Sequence, residues 1–443
     1  MSHLGSWGGL PAAGPRRIVR LADRFQPLPA EPGLSLLPYG NGRSYGDSCL
    51  NPGGIVLDTR GLDRFIAFDA QQGLLNCEAG VLLSDILRMV VPRGWFLPVT
   101  PGTRFVTLGG AIANDVHGKN HHQAGSFGCH VLDLELLRSD GSVRQCSAQQ
   151  NPGLFAATIG GLGLTGLIRR ARIQLKPCRS TALAGESLRF RGLDEFFALS
   201  EESGSAWEYS AAWVDCAATG SRLGRGLLLR GNHAGEPGLE PPREPALTVP
   251  LTPPLSMVNR WSVGAFNRAY YGRQRQDVSA QRWRGEQFFY PLDGVRHWNR
   301  IYGPRGFFQY QCVVPPPVAR DALREILQKI SRSGQGSFLA VLKLFGDRAS
   351  PGLMSFARPG ATLAMDFPNR GVVTRDLLRA LDDTTMAAGG AVYPAKDARM
   401  SAEAFRAYFP GLETFSAWVD PAFSSAFWRR VTGAPSGDPG TRN

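Results

Sequence analysis

Long apolar runs are missing from this sequence: nowhere do roughly 18 apolar residues follow one another, so we expect no membrane-spanning helix. The arginines Arg16, Arg17 and Arg20 are not followed by the apolar stretch of a secretory signal. The seven cysteines are scattered and none forms a Cys-x-x-Cys pair. Their scatter favours reduced thiols in the cytoplasm, and argues against a zinc site or a disulfide framework.

Positive charge is plentiful, with a formal net charge of +12. The arginines are nevertheless dispersed, and no basic helix or module of interleaved aromatic and basic residues appears, so we do not expect nucleic-acid binding. A diffuse positive field suits an anionic cofactor, a phosphorylated substrate or an acidic membrane surface.

Lysine, in contrast, is scarce: five of the 49 cationic residues are lysines. Arginine therefore serves wherever simple positive charge is enough. A lysine supplies a compact ammonium that fits a small site and can lose its proton. Lys119, Lys343 and Lys396 lie in glycine-rich or aromatic-rich surroundings. We expect these three lysines to have specific roles.

The pattern of apolar residues predicts a mixed α and β chain. The proline-rich stretch 234–256 has weak periodicity and is interpreted as a loop. Strands are predicted over 35–38, 54–58, 65–68, 74–77, 130–137, 142–146, 167–175, 307–314, 338–345 and 362–367. Helices are predicted over 81–91, 109–114, 152–160, 318–331 and 374–388.

Two glycine-dense turns are the most informative feature. The first spans Pro38–Asp47 and the second Gly109–His122, with Pro101-Gly-Thr between them. Each follows an apolar stretch and offers backbone N–H groups that no side chain obstructs. A pyrophosphate is held by such fans of N–H donors. Together the two turns predict a bound dinucleotide.

Two other motifs are similar to known binding motifs, a Rossmann fingerprint and a zinc-protease motif, but each lacks a feature that such a motif requires. The Gly-x-Gly-x-x-Gly of Gly161–Gly166 lies after a predicted helix and before a predicted strand, the reverse of a Rossmann fingerprint. His117, His121 and His122 lack the glutamate of a zinc-protease motif, and Lys119 would repel a cation, so no metal site is predicted.

Four polar positions in the second half of the chain are candidate site residues. Gln309 and Gln311 alternate on a predicted strand and so share one face; sugar hydroxyls or a structural network would satisfy their amides. Lys343 is the only charge in an apolar strand and should meet an anion or a polar ligand. Lys396, taken alone, is interpreted as an exposed loop charge paired with Asp397.

At this point the chain resembles the vanillyl-alcohol-oxidase family of FAD-dependent oxidoreductases, which share a PCMH-type FAD-binding domain. Within it the chain is most similar to the decaprenylphosphoryl-β-D-ribose 2-oxidases. The similarity runs nearly end to end. The motifs that carry it are Gly42-Arg-Ser-Tyr-Gly-Asp47, Val116-His-Gly-Lys-Asn-His-His122, Ala124-Gly-Ser-Phe-Gly128, Trp298-Asn-Arg-Ile-Tyr-Gly303, Gln309-Tyr-Gln311, Lys343-Leu-Phe-Gly346, Asp366-Phe-Pro368 and Ala395-Lys-Asp397.

The resemblance implies an α+β fold in which a two-part FAD-binding domain, 1–180 and 392–443, flanks a substrate-binding cap domain, 181–391, with an antiparallel sheet. FAD would be bound non-covalently, because the first glycine turn has no histidine or cysteine to form the bond. The cofactor-binding residues implied are Gly40, Asn41, Gly42, Arg43, Ser44, Tyr45, Gly102, Thr107, Gly109, Gly110, Asn114, His117, Ile168 and Tyr393.

The resemblance also implies the reaction: oxidation of the C2 hydroxyl of a polyprenylphosphoryl-β-D-ribose to the 2-keto sugar, the first half of epimerisation to an arabinose donor for the cell wall. Lys396 would orient the hydroxyl or accept its proton, with Lys119 or His117 as alternatives and Tyr45 beside them. The substrate-binding residues implied are Lys119, Trp213, Gln309, Gln311, Lys343 and Lys396.

A nicotinamide-dependent short-chain reductase would complete the epimerisation, and the enzyme would be cytoplasmic, with peripheral contact at the inner face of the plasma membrane. The loop 234–256 would cover the polyprenyl chain. Two alternatives remain open: a soluble alditol or aldonolactone oxidase of the same fold, and an FAD-binding scaffold without turnover.

Overall fold

The computed structural model describes residues 4–433. Its strands, in chain order, are β1 (Arg17–Arg20), β2 (Leu36–Tyr39), β3 (Ile55–Asp58), β4 (Phe65–Asp69), β5 (Leu74–Glu78), β6 (Trp95–Phe96), β7 (Val131–Leu137), β8 (Val143–Ser147), β9 (Leu167–Gln174), β10 (Lys176–Pro177), β11 (Leu183–Phe190), β12 (Tyr209–Val214), β13 (Gly226–His233), β14 (Leu247–Thr248), β15 (Val278–Trp283), β16 (Val295–Arg296), β17 (Phe307–Val314), β18 (Ala340–Phe345), β19 (Gly360–Pro368) and β20 (Ala391–Val392).

The helices are short, apart from two that cover the largest sheet. They are α1 (Leu83–Val90), α2 (Leu108–Ala113), α3 (His121–Ala124), α4 (Pro152–Thr158), α5 (Leu193–Ser203), α6 (Arg260–Gly272), α7 (Gly285–Phe289), α8 (Ala319–Ser333), α9 (Val372–Ala387), α10 (Ala402–Tyr408), α11 (Leu412–Ser416) and α12 (Ala426–Thr432).

Three sheets organise the chain. Near the N-terminus, β1, β3 and β2 form a small parallel sheet. A five-stranded antiparallel sheet follows, in the order β4-β5-β9-β7-β8. The second half builds an eight-stranded antiparallel sheet, in the order β15-β11-β13-β12-β18-β19-β17-β20. The expectation of a mixed α and β chain with antiparallel sheets is therefore confirmed.

Helix α8 packs on the eight-stranded sheet through a stripe at helical spacing, formed by Ala319, Ala322, Leu323, Ile326, Leu327 and Ile330. Helix α9 lies beside it, and its Thr385 hydroxyl bonds to the Tyr310 hydroxyl of β17 at 2.8 Å. Because residues alternate along a strand, Gln309 and Gln311 face the opposite side. All eight residues of β17 are buried, so that opposite side is covered as well.

The predicted elements correspond closely to observed ones where the periodicity is strong, as in α1, α8 and β17. The stretch 234–256 contains only the two-residue strand β14, in agreement with a loop. The domain boundaries at 180 and 391 remain predictions. Strand β20 pairs with β17, so the large sheet ends where the last segment of the chain begins.

The C-terminal segment returns to the first glycine turn. The Tyr45 N–H donates to the Ala395 carbonyl at 2.9 Å. A Cβ on Gly46 would lie 1.5 Å from the Asp397 carbonyl oxygen, so only glycine permits this approach. Arg430 then bridges Asp47 at 2.7 Å and Asp397 at 3.0 Å. These contacts join the C-terminal segment to the first glycine turn.

We expect Arg430→Met to lower the free energy of unfolding by about 2–4 kcal/mol, because it leaves the buried Asp397 carboxylate and the half-buried Asp47 carboxylate without their cation. Urea unfolding followed by circular dichroism measures this change. The matched control is Arg324→Met, whose partner Asp321 is 87% exposed, with an expected change within about 0.5 kcal/mol. A variant as stable as the wild type would show that apolar packing alone holds the ends together.

Candidate active site

A cleft of about 970 Å³ lies between the glycine turns and the face of β17, β18 and β19 that carries Gln309 and Gln311. Every residue predicted from the sequence to bind cofactor or substrate, or to take part in catalysis, lines this cleft. They are Gly40, Asn41, Gly42, Arg43, Ser44, Tyr45, Gly102, Thr107, Gly109, Gly110, Asn114, His117, Lys119, Ile168, Trp213, Gln309, Gln311, Lys343, Tyr393 and Lys396. Their individual roles remain predictions.

The first glycine turn presents a row of unused donors. Among residues 4–433, the backbone N–H groups of residues 41–44 have no hydrogen-bond acceptor. Gly42 has φ +60°, and a Cβ there would lie 2.1 Å from the Tyr39 hydroxyl. Four successive free N–H groups beside a cleft fit the oxygens of a pyrophosphate.

The second glycine turn begins helix α2. The Thr107 hydroxyl caps this helix by accepting from the Gly110 N–H at 3.1 Å. A Cβ on Gly109 would lie 2.9 Å from the Cβ of Ala79, so the turn packs closely against the five-stranded sheet. At its far end the Asn114 carbonyl accepts from the Tyr393 hydroxyl at 2.7 Å, which joins the turn to the C-terminal segment.

These features fit FAD. The free N–H groups of the first turn, with the close-packed second turn facing them, would hold the pyrophosphate. The Arg43 Nε and the His117 Nδ1 are buried in the cleft wall without a hydrogen-bond partner in the described chain, and each is a polar atom that a bound ligand would satisfy.

A hydrogen-bonded network crosses the far end of the cleft. The Gln311 amide contacts the His117 Nε2 at 2.9 Å and donates to the Thr362 hydroxyl at 3.2 Å. The Gln309 amide donates to Asp366 at 2.6 Å. The sequence left two kinds of partner open for these glutamines, sugar hydroxyls or a structural network. The structural network is present, and both side chains also face the cleft.

Burial keeps the His117 ring neutral: it lowers the pKa of His117 well below its usual value, and the charge of Lys343 lowers it further. The ring packs against Phe345, Phe356 and Tyr393. His121 and His122 have other surroundings. His121 packs on Phe345, and the His122 Nε2 contacts the Trp207 carbonyl.

Three lysines line this end of the cleft. The Lys119 Nζ donates to the Phe288 carbonyl at 2.7 Å and to the Phe289 carbonyl at 3.2 Å. The Lys343 Nζ reaches the Gly118 carbonyl at 3.4 Å. The Lys396 Nζ lies 3.8 Å from the centre of the Tyr45 ring, a cation–π contact.

Burial depresses the basicity of all three amines. It lowers the pKa of Lys119 to about 7, helped by the charge of Lys343, and the pKa of Lys343 to about 8. Burial also lowers the pKa of Lys396, while Asp366 opposes that shift. Lysines that release a proton near neutral pH are suited to acid–base chemistry.

The remaining two lysines differ in one respect: each forms a salt bridge, Lys176 with Glu208 and Lys329 with Glu325. Lys119, Lys343 and Lys396 form none within residues 4–433. The interpretation of Lys396 as a loop charge paired with Asp397 is wrong. Asp397 instead pairs with Arg430 and accepts the Met400 N–H, which leaves the lysine to turn into the cleft.

Asp366 is a site residue that the sequence predictions omitted. It lies directly opposite Gln309 in the pairing of β17 with β19, and burial raises the pKa of its carboxyl. Its Oδ2 has no hydrogen-bond partner in the described chain. Asp366 is the only charged residue in the buried strand β19, just as Lys343 is the only charge in its strand. The same pattern could therefore have predicted it.

Trp213 closes the side of the cleft nearest the large sheet. Its indole N–H donates to the Phe338 carbonyl at 2.9 Å, and its ring packs on Tyr270 with the ring centres 4.7 Å apart. This wall is apolar, in contrast to the lysine end.

Comparison with known proteins agrees with this geometry. A domain family described as "FAD binding domain" matches residues 17–147, which include both glycine turns. The chain is 37% identical to the decaprenylphosphoryl-β-D-ribose oxidase of Mycolicibacterium smegmatis, over 95% of this chain and 94% of that protein. An uncharacterised protein of Streptomyces coelicolor is 35% identical over 79% of this chain and all of its own length. Cytokinin dehydrogenase 6 of Oryza sativa subsp. japonica is 32% identical over 37% of this chain and 32% of its own.

The fold, the cleft and these similarities define an enzyme: an FAD-dependent oxidoreductase with FAD as its cofactor. Within that class, the chain belongs to the family of decaprenylphosphoryl-β-D-ribose oxidase.

We expect Gly42→Ala to weaken FAD binding about tenfold or more, because the added Cβ meets the Tyr39 hydroxyl and a left-handed φ disfavours alanine. The ratio of flavin to protein absorbance after dialysis measures retention. Gly53→Ala is the matched control, since Gly53 has φ +75° but no atom within 4 Å of the added Cβ. Equal retention by both variants would contradict a role for the first turn in holding the cofactor.

Proposed function

We propose that this enzyme oxidises the C2 hydroxyl of a polyprenylphosphoryl-β-D-ribose to the 2-keto sugar, the first half of epimerisation to an arabinose donor. The near full-length similarity to decaprenylphosphoryl-β-D-ribose oxidase supports this substrate class. The observation that carries it here is the group of three cleft lysines without a salt bridge in residues 4–433.

The charge of this group favours a phosphorylated sugar over a free one. Within residues 4–433, Asp366 is the one carboxylate that raises the pKa of Lys396, while the charge of Lys343 lowers the pKa of both other lysines. Bringing like charges together in a buried cleft is costly unless an anion joins them. A neutral alditol brings no anion, so the alternative of a soluble alditol oxidase fits this cleft less well.

When bound, FAD supplies the two-electron acceptor that takes the hydride of the carbinol carbon. The chain supplies position and proton transfer. Lys396, held over the Tyr45 ring, is suited to accept the hydroxyl proton, because burial favours its neutral form. Lys119 and His117 remain the alternatives. Lys343 and the two glutamines would grip the sugar or its phosphate.

Several finer assignments belong to the same proposal. The FAD-binding domain is of the two-part PCMH type, with 1–180 and 392–443 flanking a cap domain at 181–391.

FAD is held without a covalent bond: the first turn has no histidine or cysteine, and the Nε2 of His117 is engaged by Gln311. Acid precipitation should therefore release free FAD. A nicotinamide-dependent short-chain reductase completes the epimerisation.

An anaerobic absorbance measurement tests the proposal. We expect polyprenylphosphoryl ribose, and neither alditols nor aldonolactones, to bleach the flavin band. Lys396→Met should slow bleaching about 100-fold or more because the proton acceptor is lost. Lys329→Met, outside the cleft, should react at the wild-type rate. Bleaching by free polyols would assign the small-substrate oxidase, and absence of bleaching with every compound would assign a scaffold without turnover.

The pH dependence of the same bleaching tests the role of Lys396. An amine accepts a proton only when neutral, so the rate should rise with pH through the pKa of Lys396. Since the Asp366 carboxylate raises that pKa, Asp366→Asn should move the rising limb to lower pH, by about one pH unit.

Asp376→Asn is the matched control, because this aspartate is exposed on α9 and pairs with Arg379; its pH profile should equal that of the wild type. A rate that falls with rising pH in the wild type would show that Lys396 acts as a cation and does not accept the proton.

A further inference from the structure

The most exposed apolar side chains of the molecule are concentrated in one segment, residues 247–261, here called the apolar strap. Eight large apolar side chains in residues 4–433 are at least 60% exposed. Five of them belong to the strap: Leu247, Leu251, Leu255, Met257 and Trp261. Contiguous exposed apolar surface of this kind marks an interaction site.

The strap is an ordered feature with fixed anchors. The Val249 N–H donates to the Arg296 carbonyl at 2.9 Å, and the Met257 N–H donates to the Ile301 carbonyl at 2.9 Å. The Arg300 guanidinium donates to the carbonyls of Val249 and Pro250. Val258, between the exposed positions, is buried. The backbone is therefore held down while its large side chains face outward.

Two more of the eight exposed side chains flank the strap. Val372 and Val373 begin helix α9 and are 60% and 61% exposed. The nearby Arg370 donates to the Val258 carbonyl of the strap at 3.3 Å. Of the eight, only Phe25 belongs to another part of the described chain.

Positive charge accompanies the apolar surface. Residues 245–276 contain four arginines, Arg260, Arg268, Arg273 and Arg275, and no aspartate or glutamate. All four are exposed, and none takes part in a salt bridge within residues 4–433. Arg260 and Arg273 lie over the rings of Trp261 and Tyr270. Exposed apolar side chains together with arginines that form no salt bridge complement an anionic lipid surface, whose headgroups attract the cations and whose acyl boundary accepts the apolar groups.

The strap is connected to the cleft through helix α6. The strap ends in the first turn of helix α6, and Phe266 and Tyr270 of that helix line the cleft together with Arg273, which follows it. The Phe266 ring contacts Phe338 on the opposite wall, with the ring centres 5.1 Å apart. No helix within residues 4–433 is long and apolar enough to cross a bilayer, so contact through this surface would be peripheral.

We propose that the apolar strap is a docking surface for a bilayer that contains anionic phospholipid. Docking would bring the cleft mouth to the plane of the membrane. Exposure and charge alone define this surface; only the benefit of docking, access to a lipid-linked substrate, rests on the proposed function.

Flotation of the FAD-loaded enzyme with vesicles tests the proposal. Vesicles of phosphatidylcholine with 30% phosphatidylglycerol, roughly the anionic content of an acidic leaflet, are compared with pure phosphatidylcholine. Neither contains polyprenyl phosphate, so the result is independent of turnover. We expect the wild type to float with the anionic vesicles, and Leu251→Glu/Leu255→Glu to bind about tenfold less or weaker still.

Phe25→Glu/Val143→Glu is the matched control, because it adds two carboxylates at exposed apolar positions, 68% and 44% exposed, of the FAD-binding segment. It should float like the wild type. Arg268→Glu/Arg275→Glu should weaken binding to the anionic vesicles only. Flavin content and the midpoint of thermal unfolding confirm that each variant is folded.

Three outcomes would overturn the proposal. One is a wild type that ignores anionic vesicles. Another is a strap variant that binds them as well as the control does. The third is binding only after polyprenyl phosphate is added to the vesicles, which would assign the strap to the substrate's own chain. Failure of the flavin-bleaching experiment would leave these results unaffected, so the two proposals fail separately.

Discussion

The contact between the first glycine turn and the C-terminal segment is the constraint on which the site depends. Gly46 lies against the Asp397 carbonyl, and Arg430 neutralises both Asp47 and Asp397. Further along, the Leu36 N–H donates to the Ala422 carbonyl at 2.7 Å, beside β2. Without this closure, Tyr45 and Lys396 would belong to unconnected parts of the chain.

Closure also determines the electrostatics of the cleft. Asp397 is engaged by Arg430, so it cannot pair with its neighbour Lys396. The lysine instead lies over the Tyr45 ring and feels the carboxyl of Asp366 from another strand. The Asp366 carboxylate raises the pKa of Lys396, and the Lys396 ammonium lowers the pKa of Asp366 in turn. Closure thus keeps the lysine from its nearest carboxylate, and burial lowers its pKa.

The sequence predicted the fold best where one physical signal dominates. Helix α8 has a clear 3.6-residue period and β17 a clear alternation, and both were located correctly. The strands β11–β13 were not predicted, because their mixed residues gain their strand conformation from pairing with distant segments. The three short helices α10–α12 were missed as well, since they are fixed by packing against the rest of the C-terminal segment.

For the site, composition and motifs predicted the residues that line the cleft. The local sequence could not predict their hydrogen-bond and ion-pair partners. The adjacency of Lys396 and Asp397 suggested an ion pair that tertiary packing does not form. The partners of Gln309 and Gln311 come from β19 and the second glycine turn, far away in sequence. Asp366 was named only as part of a motif and not as a site residue, because its contact with Gln309 depends on strand register.

The salt bridges that the five lysines form, or do not form, explain in physical terms why lysine is scarce. Lys176 and Lys329 form salt bridges with glutamates, a role that arginine fills elsewhere in the chain, as in Arg430. The three without salt bridges in the described residues are those whose pKa burial lowers in the cleft. Arginine cannot replace them, because its guanidinium stays protonated when buried. Arginine thus supplies permanent charge in this chain, and the three lysines of the cleft supply charge that can titrate.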